Sequence, residues 1–81
     1  MMGRAEPLGG YRYLLTVPAY SMRGRFTAIE FSADGRQWSD AEQYRVQHEY
    51  VAPAGAKSVH VRLTFKDAKG AAPQKPIRID L

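Results

Sequence analysis

Residues 57–66, KSVHVRLTFK, alternate without a break: Val59, Val61, Leu63 and Phe65 fall on one side, His60, Arg62, Thr64 and Lys66 on the other. Only an extended backbone brings every second side chain to the same face, so this segment reads as a strand with one buried side. The same pattern recurs. Tyr11, Tyr13, Leu15 and Val17 alternate until Pro18, residues 25–33 (RFTAIEFSA) are rich in aromatic and β-branched types, and Tyr44, Val46, His48 and Tyr50 share a face. Ile77, Ile79 and Leu81 end the chain in the same way. No segment repeats its apolar residues at the roughly 3.6-residue interval of a helix, although residues 40–44 could hide one helical turn. About six to seven short strands separated by turn residues predict an all-β fold: a small antiparallel Greek-key sandwich.

The connections are legible as well. Asp34-Gly35 is a strong hairpin signal, and if these are the two loop residues of a type I′ turn, Phe31 falls opposite Trp38 and the two rings touch, burying the tryptophan. The short link between residues 57–66 and 76–81 predicts that these two strands pair antiparallel. Residues 1–10, MMGRAEPLGG, carry glycine and proline without apolar periodicity and read as a flexible leader, which leaves 11–81 as the single domain. The Met1-Met2 pair fits a start added to an excised domain.

Eighty-one residues can build one core, and with no cysteine that core must hold by packing, without disulfides or thiolate metal sites. A hydrophobic share of 44% and a charged share of 25% are those of a folded globular domain. No apolar run approaches the roughly 18 residues of a membrane span, and the first residues lack the apolar stretch of a signal peptide. The net charge of +4 is mild and its basic residues are dispersed, so no arm of the kind that binds nucleic acid stands out.

The run VAPAGAKSVHVRLTFKDAKG resembles the later half of fibronectin type III domains: Val51 and Pro53 match the family's turn, Val59, Val61, Leu63 and Phe65 its long strand, and Asp67 and Gly70 its closing loop. FTAIEFSADGRQW is similar to the family's middle hairpin, so the resemblance covers residues 25–81. Val59 stands where the family usually has tyrosine, and the hydrogen-bonded tyrosine corner is therefore expected to be missing. FSADGRQW is also similar to discoidin and galactose-binding jelly rolls, which need a longer chain. The fibronectin type III and wider immunoglobulin-like resemblance implies a non-catalytic accessory or protein-interaction module of a larger secreted or cell-envelope protein, its partners being other domains or another protein.

Candidate chemistry is sparse, and neither an enzyme nor a cofactor is expected. Neither histidine has a second ligand at metal spacing, so His48 reads as a half-buried structural residue and His60 as exposed. Asp34 and Asp67 sit in turns, Glu30 and Asp80 on strands where they could pair with Arg or Lys, and no carboxylate pair is spaced for acid–base work. No serine has the setting of a hydrolase nucleophile. In Met22-Arg23-Gly24-Arg25 an arginine stands where an Arg-Gly-Asp loop has its carboxylate, which removes that mode of integrin binding. Trp38, Tyr13 and Phe65 are expected inside, and Tyr20 is the aromatic expected to be exposed for contact. If the last two long strands pair, His60, Arg62, Lys66 and Arg78 point from one face. The alternative function is thus binding of an acidic polymer, polysaccharide or nucleic acid, through that basic face.

Overall fold

A computed structural model describes residues 3–81; Met1 and Met2, and with them the reading of an added start, lie outside the described residues. These form eight strands: β1 (Arg4–Gly9), β2 (Arg12–Thr16), β3 (Arg25–Ser32), β4 (Glu42–Gln43), β5 (Gln47–Val51), β6 (Ser58–Asp67), β7 (Gly70–Pro73) and β8 (Ile77–Asp80). The described residues contain no helix, and so none long and apolar enough to cross a membrane. Every pairing is antiparallel. One sheet has the order β1-β2-β5, the other β4-β3-β6-β7 with β8 also on β6. The chain crosses between sheets after β2, after β4 and after β5, so β5 returns beside β2 and β6 beside β3.

The alternation that announces the strands also builds the core. Leu15 and His48 from the first sheet, with Val17 just past β2, meet Ile29, Phe31, Val59, Val61, Leu63 and Ile79 from the second, all buried. Register sets these residues side by side: Ile29 opposite Leu63, Phe31 opposite Val61, Val59 opposite Ile79. Removing a Leu, Ile or Val side chain from water contributes about 1.5–3 kcal/mol, which is how a chain without cysteine holds together. β6 and β8 pair as the sequence predicts.

Several expectations are corrected. Arg4–Gly9, read as part of a leader, is an edge strand on β2, turned back through Gly9, Gly10 and Tyr11, which all have positive φ (92°, 65° at Tyr11, 61° at Gly10). It hides its strand character because it buries little and carries Pro7, which an edge tolerates. Residues 44–51 are not one strand. β4 and β5 belong to different sheets, and Val46 in the link between them is 48% exposed instead of facing the core.

The reversal after β3 is not a two-residue hairpin, and Trp38 is not the neighbour of Phe31. The Asp34 carboxylate draws the turn around itself, accepting from the amides of Arg36 (2.8 Å) and Gln37 (3.0 Å) and from the Ser32 hydroxyl (3.0 Å). These bonds hold its pKa down at about 2. The wider loop lets Ser39 close on Phe31, its amide donating to the Phe31 carbonyl at 2.8 Å. Trp38 is thereby carried to the outer face, half-buried, while Phe31 points inward against His48 and Tyr50.

Candidate interaction surfaces

The four basic-face residues do share the outer face of the second sheet, but in two groups. His60 is the register partner of Arg78, and Arg62 follows one step along β6. Lys66 lies a further four residues on, roughly 13 Å at strand rise, opposite Arg25 of β3. The first group is largely neutralised. Arg62 donates from Nε and Nη2 to the two oxygens of Glu30, both at 3.0 Å, and these bonds raise its pKa further. Arg78 Nε is 3.7 Å from Asp80 Oδ1, an exposed pair. The His60 ring lies against Gly35, where an added Cβ would sit 3.5 Å from it. Arg25 and Lys66, in contrast, are exposed and form no ion pair among the described residues.

Tyr20 is where the sequence expects it, on the loop from β2 to β3 and 86% exposed. It borders a cavity of about 220 Å³ that is otherwise lined by Ala19, Ser21, Gly24, Arg25, Phe26 and Tyr44. Local chemistry shapes this hollow. Phe26, Tyr44 and Phe65 form a tilted aromatic cluster, with ring centroids 6.0 Å apart for Phe26–Tyr44 and 5.1 Å for Phe26–Phe65. The Tyr44 hydroxyl donates to the Val17 carbonyl at 2.5 Å, tying the loop's start to the chain after β4, and burial raises its pKa. Gly24 lets the loop's far end close, since a Cβ there would stand 2.2 Å from the Lys66 carbonyl oxygen. Met22, at 91% exposure, is the loop's second bare apolar side chain.

Sequence reasoning missed Arg25, Phe26, Tyr44 and Met22 as members of this region. Tyr44 follows the strand alternation and so reads as core, whereas Phe26 is out of phase with Ile29 and Phe31 and joins Tyr44 and Phe65 where the register of β3 on β6 shifts between Phe26 and Ala28. Only the fold brings both to the same end as Tyr20. Met22 sits between the turn signals Ser21 and Gly24, a position that is exposed by default. His48 is more buried than expected, at 5% exposure, with Nε2 accepting from the Arg45 amide at 3.3 Å. No protein-family model, curated protein or solved structure matches this chain.

Proposed function

We infer that the chain is a non-catalytic protein-interaction module with an immunoglobulin-like, fibronectin type III-like Greek-key arrangement, acting as an accessory part of a larger secreted or cell-envelope protein. The strand order supports the topology: β2 with β5 and β3 with β6 are interlocked pairs in facing sheets, as in Greek-key sandwiches. The observation that carries the interaction reading is the pairing of two bare side chains, Tyr20 and Met22, with an aromatic-walled hollow on one loop. A rigid strand scaffold presenting exposed aromatic and methionine side chains on a tethered loop is suited to anchoring a protein partner. The acidic-polymer alternative draws support from Arg25 and Lys66 alone, because Arg62 is committed to Glu30.

Panning a displayed random-peptide library against the chain tests this reading. Selected peptides should shift the backbone amides of Tyr20, Ser21, Gly24 and Arg25, and Tyr20→Ala should weaken them about tenfold while leaving stability within about 0.5 kcal/mol. Heparin binding that displaces those peptides, or selected peptides whose shifts avoid the loop, would count against it.

A further inference from the structure

The edge of β5 is left open in a way the other edges are not. Val17 N donates to the Val46 carbonyl at 2.7 Å, and Ala52 N donates to the Tyr11 carbonyl at 2.9 Å. Residues that bond across an antiparallel pair alternate with residues that do not, so His48 and Tyr50 also turn their amides and carbonyls toward β2. Gln47, Glu49 and Val51 therefore aim theirs outward, and all three residues are exposed. None of the loop hydrogen bonds among the described residues engages them.

Folds blunt edges with proline, bulges, short strands or covering loops. β1 carries Pro7 and a register shift, β4 has two residues, and Ser39 covers the end of β3 through its amide and hydroxyl. β7 runs into Pro73, and β8 follows directly on Pro76. β5 has no proline, glycine or lysine and no register shift along its length. Apolar surface continues from it, Val51 being 66% and Tyr11 61% exposed.

We propose that β5 is a strand-docking site that takes an extended segment of a partner protein, added antiparallel as a fourth strand of the β1-β2-β5 sheet. The charge at its centre selects the occupant. A second copy of this chain using all three outward residues would set Glu49 against Glu49, and like charges directly opposite are unfavourable. Glu49 accepts from Arg12 Nη1 at 3.1 Å through one oxygen and still leaves 53% of its side chain exposed, so a partner segment with a basic residue at that point meets a carboxylate, and flanking β-branched residues meet Val51 and Tyr11. Affinity comes from the backbone ladder and preference from the central side chain.

The test uses the full chain and a synthetic peptide, acetyl-Thr-Val-Thr-Lys-Thr-Val-Thr-amide, with hydrogen exchange read residue by residue. The amides of Gln47, Glu49 and Val51 should gain protection, and a peptide with Glu in place of the central Lys should bind about fivefold more weakly. Glu49→Lys should invert that order. Glu49→Pro removes an outward amide without touching the bonds to β2, so it should keep the native spectrum and lose binding about tenfold. Should that variant fail to fold, methylating the peptide's valine and lysine nitrogens applies the same block from the other side and should abolish protection. No protection at millimolar peptide, protection confined to other strands, binding that survives the methylated nitrogens, or protection that rises with protein concentration alone would each overturn the proposal.

Discussion

The guanidinium carbon of Arg62 lies 4.3 Å above the ring of Trp38. The tryptophan thus roofs the Arg62–Glu30 pair on the outer sheet face, and its indole serves an ion pair and not the core. Trp38→Ala should accordingly cost about 1–2 kcal/mol, from partial burial and the cation–π contact, and not the ~3–5 kcal/mol of a core tryptophan. Urea denaturation measures it. The loss should shrink in an Arg62→Ala background, because the two residues share one interaction.

Ile29 and Val46 follow the same strand-like alternation in sequence, yet one has no exposure and the other 48%. Ile29→Ala is expected to cost about 2–5 kcal/mol, a large part of the ~5–15 kcal/mol available to a domain of this kind, whereas Val46→Ala should stay within about 0.5 kcal/mol. Equal losses from paired denaturation curves would mean that β5 starts before Gln47.

Two titrations should shape stability against pH in separate windows. Burial first, with the Arg45 charge adding to it and Glu42 opposing, holds the His48 pKa below its ordinary 6.5. Its folded pKa being the lower one, stability is full above about 6.5, falls as pH drops below that value, and levels off beneath the folded pKa. Asp34 acts later. With its pKa lowered from 3.8 to about 2, its contribution is intact above 3.8 and is lost as pH falls toward 2. Urea midpoints followed from pH 8 to about 2 should show both steps. His48→Gln should remove the upper step alone, and an upper step that survives this substitution would falsify the assignment.

Gly24 should tolerate no side chain. In Gly24→Ala the new carbon meets the Lys66 carbonyl oxygen at 2.2 Å and the Phe65 ring at 2.7 Å, and backbone yields less readily than a side chain tip. A loss of about 1–3 kcal/mol is expected, together with amide shifts around the cavity beside Tyr20. Gly55→Ala makes the control, since nothing stands within 4 Å there and only its φ of 82° is strained.

Where side chains alternate against a two-sided core, the fold was legible from residues alone. β2, β6 and β8 show in the alternation around Leu15, Val61 and Ile79, β3 in the aromatic and β-branched content of residues 25–33, and the β6–β8 pairing in the short link between them. β1 was not legible, because an edge strand that buries little has no apolar period to read. The Asp34-Gly35 turn misled for a different reason: Asp34 uses its own carboxylate to cap the following amides, widening the loop and moving Trp38 to the other face. Of the candidate surfaces, the exposure of Tyr20 was readable from its loop. The neutralisation of Arg62 by Glu30 needed the register of β3 on β6.

The interlocked pairs bear on how the molecule comes into being. Arg12 and Glu49, joined diagonally across β2 and β5, are 37 residues apart, and Glu30 and Arg62, register partners across β3 and β6, are 32 apart. Neither central pairing can form without closing a long stretch of chain, so refolding should take milliseconds to seconds even though each strand is short. A cut in the link between β4 and β5 would leave each fragment holding strands whose partners lie on the other. Such halves should remain unfolded apart and regain β-structure only on mixing, at a rate that rises with concentration.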